Sequence, residues 1–130
     1  MITGVVVSLV WIGIHIGQEF QLPCSVRSWL NVVILSPIAE ELLFRRVVID
    51  CMITRMSSAK ALMFSAVLFS AVHLPWWILS GEKTVEEIAT LAIVLFGYGS
   101  VFGVLYMRTG SSWASLIPHA VNNLIAESLG

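Results

Sequence analysis

Five apolar segments within 130 residues set the first limit on this chain. They run Met1 to Gly17, Trp29 to Ile53, Ala59 to Ser80, Glu87 to Met107 and Ser112 to Leu129. Each approaches the ~20 residues that a helix needs to cross a bilayer. A helix also satisfies its own backbone hydrogen bonds where no water can do so. The stretches between them, QEFQLPCSVRS, TRMSS, SGEKTVE and RTGSS, are polar and too short to form a second domain. No repeat or low-complexity tract interrupts them. The expectation is an all-α, polytopic transmembrane bundle of about five helices, forming one domain over residues 1–130.

Composition agrees. Charged residues make up 12% of the chain, half of the roughly 25% usual in soluble domains. The mean hydropathy is +0.91. A net charge of -1 supplies no basic surface for nucleic acid. These features describe a multi-pass protein of the cell membrane, with the lipid bilayer as its first partner; they do not define an oligomeric state. The first segment lacks a basic start and an A-x-A-like cleavage site, so a signal peptide is not expected. Its apolar beginning suggests a further part upstream.

Cys24 and Cys51 flank one apolar segment and, on a helix, would stand about 40 Å apart. That exceeds the reach of a disulfide, so both read as free thiols. Gly13/Gly17 and Gly99/Gly103 have the spacing of close helix packing. Trp76 and Trp77 read as part of an interfacial aromatic belt. Arg55, Lys60 and Arg108 against Arg27 and Lys83 favour a cytoplasmic N-terminus by one charge.

The polar residues inside the apolar segments carry the functional argument. PIAEELLFRR holds Glu40, Glu41, Arg45 and Arg46 between strongly apolar neighbours. Each such charge costs about 2.5–3.5 kcal/mol at the centre of a membrane helix. A juxtamembrane cluster is the plain alternative, but the segment continues apolar for two more turns. Glu41 and Arg45 are four apart and can pair. Arg46 is turned about 100° away and suits snorkelling or lipid-headgroup contact, and Asp50 reads as an interfacial charge. His73 and His119 lie within two further segments, and Asn123 shares a helix face with His119. Glu40, His73 and His119 all fall within about two turns of mid-helix, so a single buried site can gather them. His15 has no comparable partner and reads as packing.

Three spacings then bring a family into view. EELLFR (Glu40, Glu41, Arg45) fits EExxxR, FSAVH (Phe69, His73) fits FxxxH, and HAVNN (His119, Asn123) fits HxxxN. In this order on apolar helices they resemble the CPBP, or Abi, family of intramembrane proteins, which includes the type II CAAX prenyl endopeptidases. The resemblance covers about residues 36–129. It implies an intramembrane endopeptidase acting on a membrane-embedded or lipidated polypeptide. Glu40 and His73 would then activate water, and His119 and Asn123 would stabilise the oxyanion. Glu41 and Arg45 would support the site, and Phe69 would pack beside His73. No serine, cysteine or threonine stands in a comparable constellation, which favours direct attack by water.

The family is commonly labelled metalloprotease. HExxH is absent, yet two histidines and two glutamates can ligate zinc, so zinc is possible without being required. Two rival readings are a non-catalytic family member serving bacteriocin immunity or scaffolding, and a transporter fragment. The latter would predict an internal repeat.

Overall fold

The computed structural model describes residues 26–128, all of whose regular elements are helical. The expected first membrane segment, Cys24, His15 and the Gly13/Gly17 pair lie outside them. Helix α1 is a continuous rod over residues 26–52. It contains π-helical turns at Trp29–Leu35 and Leu42–Ile49 around an α-helical stretch, Ser36–Glu41. Helix α2 is Ser58–Ala71, α3 is Leu74–Ser80, α4 is Val85–Thr109 and α5 is Trp113–Ser128.

Two stretches are long and apolar enough to cross a membrane, Ser58–Ser80 (α2 with α3) and Val85–Thr109 (α4). Only 22% of each is buried within the protein, which sets them apart from the core helices of a soluble fold. Leu30, Leu35, Leu42 and Val47 likewise leave one side of α1 apolar and exposed. Helix α5 reaches just 16 residues, with Pro118 inside it.

The third apolar segment, expected as one helix, is broken in two. Pro75, in the first turn of α3, has no N–H to continue the helix. The chain therefore turns at Val72 and His73. His73 N–H bonds to Ser70 O at 3.3 Å instead of reaching back a full turn. The carbonyl it leaves, that of Phe69, accepts from His73 Nδ1 at 2.8 Å.

Helices α2 and α4 pack through the glycines read from the sequence. A Cβ at Gly99 would stand 3.2 Å from Ala66 Cα and from the Phe69 ring, and one at Gly103 would run into Leu62. This close approach seats Phe69 and Phe102, both fully buried, in the middle of the bundle. Helix α4 begins with a capping box between Thr84 and Glu87, which fixes its start beside the short α3–α4 loop. Its end is closed by Gly110 at φ 66°.

Candidate active site

Arg45 and Glu41 are the most deeply buried charges of α1, at 0% and 1% exposure. Arg45 Nε donates to Glu41 Oε2 at 3.0 Å and Nη2 to Oε1 at 3.3 Å, a two-point pairing one turn apart. Nη1 donates to Ser65 Oγ at 3.3 Å, and that hydroxyl donates to the Phe44 carbonyl. The guanidinium also lies over the Phe69 ring, 5.3 Å from its centroid. Every face of this ion pair is occupied, which is what a buried pair needs to offset desolvation.

His119 is wedged between the two glutamates. Its Nδ1 is 3.0 Å from Glu41 Oε1, and its Nε2 is 3.6 Å from Glu40 Oε2. Neighbouring residues of one helix diverge by about 100°, yet an imidazole inserted from α5 reaches both. Phe102 stacks on that imidazole at 4.9 Å and Phe69 meets it edge-on at 5.7 Å. Glu40 is 20% exposed and receives a hydrogen bond from Ser36 Oγ, one turn earlier, at 2.5 Å.

His73 stands across Phe69 from this cluster, with ring centroids 5.4 Å apart. A carbonyl only accepts, so the bond to Phe69 O requires the proton on Nδ1 and leaves Nε2 as the free ring nitrogen. Trp77 packs on the other side at 5.9 Å. Glu40, His73, His119, Asn122 and Asn123 all line a single cavity of about 950 Å³. Trp76 and Trp77, read from the sequence as belt residues, line it as well.

Asn123 takes a place that its motif does not disclose. Its Nδ2 donates to the Val32 carbonyl at 3.0 Å, joining α5 to α1. Val32 lies in a π-helical turn, where the donor would be five residues on, and that residue is Pro37. Asn123 supplies the hydrogen bond that Pro37 cannot. The adjacent Asn122 lines the cavity too, and its Oδ1 is buried without a hydrogen-bond partner among the described residues.

Arg46 is 58% exposed and also reaches polar neighbours. Its Nη1 is 3.9 Å from Asp50 and 3.5 Å from Tyr106 Oη, and Tyr106 donates to Asp50 at 2.8 Å. Arg46 and Asp50 thus belong to one polar network with α4. Cys51 is a free, exposed thiol. Ser36, Ser65 and Tyr106 escaped the sequence reading. Only Ser36 left a signal, its spacing of four from Glu40.

The donor set offers little to a metal. Both Glu41 oxygens are held by Arg45, and Nδ1 of His119 is spent on Glu41. Among the described residues no group of three or more His, Cys, Asp or Glu side chains is arranged to hold an ion. The zinc reading does not fit these side chains as they are placed.

The fold and the site define an all-helical integral membrane protein with an acid–histidine cluster of which Glu40 and His119 line a cavity. The chain belongs to the type II CAAX prenyl endopeptidase Rce1-like family, whose model matches residues 23–125. The matched span includes all three motifs. This is a family of proteases acting on membrane-associated substrates. Searches of curated proteins and of solved structures gave no match.

Proposed function

We propose that this protein is a multi-pass intramembrane endopeptidase that hydrolyses a peptide bond of a lipidated, CAAX-type polypeptide with an activated water. One observation carries this reading: His119 bridges the buried Glu41 and Glu40, and His119 and Glu40 both line the cavity.

The charges suggest the division of labour. Glu41 and Arg45 cancel one another, so Glu41 serves to hold His119 and not to react. Glu40, with one side open to the cavity, is the base. Glu40 and His119 together require one proton to stay neutral in an apolar site, since an isolated buried charge is costly. With that proton on His119, Glu40 is a carboxylate that takes a proton from water as the oxygen attacks the scissile carbonyl carbon. The carbonyl π bond breaks, and its electrons rest on the tetrahedral oxygen. The Nε2–H of His119 donates to that oxyanion, a term that acts as charge develops. Glu40 then returns its proton to the leaving nitrogen as the C–N bond breaks.

His73 Nε2, an acceptor in the neutral ring, orients the water. Asn123 keeps one amide hydrogen beyond its bond to Val32, and that hydrogen is its means of helping the oxyanion. No step passes through a metal. Turnover of a farnesylated peptide by Glu40→Gln protein in lipid tests this account. The variant should fold normally and lose at least about 10²-fold in kcat.

A further inference from the structure

A single hydrogen bond from the described residues holds the Glu40 carboxylate. Its donor is the Ser36 hydroxyl, which bonds to Oε1 at 2.5 Å. A hydroxyl on a carboxylate is the short and strong kind of hydrogen bond. The other oxygen, Oε2, is 3.6 Å from His119 Nε2, too far for a direct hydrogen bond. Ser36, Glu40 and His119 all line the cavity.

The local sequence explains why this hydroxyl serves a side chain. Ser36 opens the α-helical stretch Ser36–Glu41, so Glu40, four residues on, shares its face. A serine within a helix often turns its hydroxyl back to the carbonyl four residues earlier. Here that carbonyl is Val32's, and it accepts from Asn123. The Ser36 hydroxyl turns forward to the carboxylate instead. Without that bond the carboxylate is free to swing onto a protonated His119, whose Nε2 is 3.6 Å away. Such a pair would occupy the very donor that the oxyanion needs.

Building on the reading above, we propose that Ser36 is a positioning residue for the reaction. Its hydroxyl holds Oε1, so Oε2 is the oxygen that takes the proton from water, and His119 Nε2 stays available to the oxyanion. Ser36 forms no bond to the substrate and gives up no proton. The electron pair that attacks the scissile carbonyl is the water's. Holding the base in one orientation before substrate arrives removes a cost that would otherwise fall on each turnover.

The test compares substitutions of nearly equal shape in the full chain, reconstituted in phosphatidylcholine vesicles and given a farnesylated peptide. Threonine keeps the hydroxyl and valine replaces it with a methyl group. Ser36→Val should lower kcat about tenfold, as for a lost hydrogen bond to a charged group, with KM and unfolding temperature little changed. Ser36→Thr should recover most of that loss. Ser36→Ala, which adds no bulk, should match Ser36→Val. Equal kcat in Ser36→Thr and Ser36→Val, or a loss seen in KM alone, would overturn the proposal. A loss in Ser36→Ala as complete as that in Glu40→Gln would overturn it too, because the hydroxyl would then be the attacking group. Cleavage by the unmutated chain separates the two claims. If that chain cleaves nothing, the hydrolytic reading falls and this proposal with it. If it cleaves and Ser36→Val keeps pace with Ser36→Thr, only the role of Ser36 falls.

Discussion

Asn123 donates its side-chain amide to the backbone carbonyl of Val32, ninety-one residues earlier, at 3.0 Å. The acceptor is available because Pro37 occupies the position from which a π turn would have served it. A residue of the HxxxN motif therefore joins two helices around the cavity, whatever else it does during turnover.

Asn123→Ala should accordingly lower thermal stability, by about 1 kcal/mol for the loss of one part-buried hydrogen bond, as well as activity. Pro37→Ala restores an N–H beside Val32, so the stability cost of Asn123→Ala should shrink in that background. A double-mutant cycle read by thermal unfolding measures this coupling. Strict additivity would mean that the two positions do not serve the same carbonyl.

Asn122 lines the same cavity as Asn123 and buries an Oδ1 that has no partner among the described residues. Asn122→Leu removes that orphan acceptor and should leave stability unchanged or slightly raised. Thermal unfolding in detergent checks this, and a loss comparable with that of Asn123→Ala would contradict it.

The Arg45–Glu41 pair is enclosed on all sides, so removing one partner strands the other. Arg45→Ala should cost about 3–5 kcal/mol, enough to abolish folding in a marginal bundle. Arg45→Lys should rescue only in part, since an ammonium cannot make the two parallel bonds to Glu41. Arg46→Gln should retain most activity, because Arg46 is 58% exposed and its partners Asp50 and Tyr106 bond to each other. Expression yield, unfolding temperature and turnover of the three variants give the comparison.

The glycines on α4 should not be equivalent. A Cβ at Gly99 meets the backbone of Ala66, which cannot move aside, while one at Gly103 meets the tip of a flexible leucine. Gly99→Ala should therefore cost more than Gly103→Ala, about 1–3 kcal/mol, and should displace Phe69 and with it activity. The reverse order of unfolding temperatures would contradict this packing.

Much of the site was legible because its spacings are helical. The four-residue intervals of Glu41 with Arg45, Phe69 with His73, and His119 with Asn123 each fix a shared face. Shared mid-helix depth puts Glu40, His73 and His119 around one site, as the cavity lining has them, and the Gly99/Gly103 spacing marks the tight crossing of α2 and α4. What stayed hidden depends on departures from a regular helix or on distant partners. The π turns of α1 change which carbonyl lacks a donor, so Asn123 looked free. Pro75 breaks the third segment at His73, which turns Nδ1 inward to Phe69 and sets the ring's tautomer. Tyr106 lies sixty residues from Arg46, and no local pattern joins them.

The central claim is that Glu40 is the base and that Glu41 only holds His119. Steady-state cleavage of a farnesylated peptide by Glu40→Gln protein in vesicles, beside its unfolding temperature and its affinity for the same peptide, tests it most directly. The account predicts a loss of at least about 10²-fold in kcat, with stability and affinity close to those of the unmutated chain. Activity retained in Glu40→Gln, at full occupancy of a correctly folded protein, would contradict it.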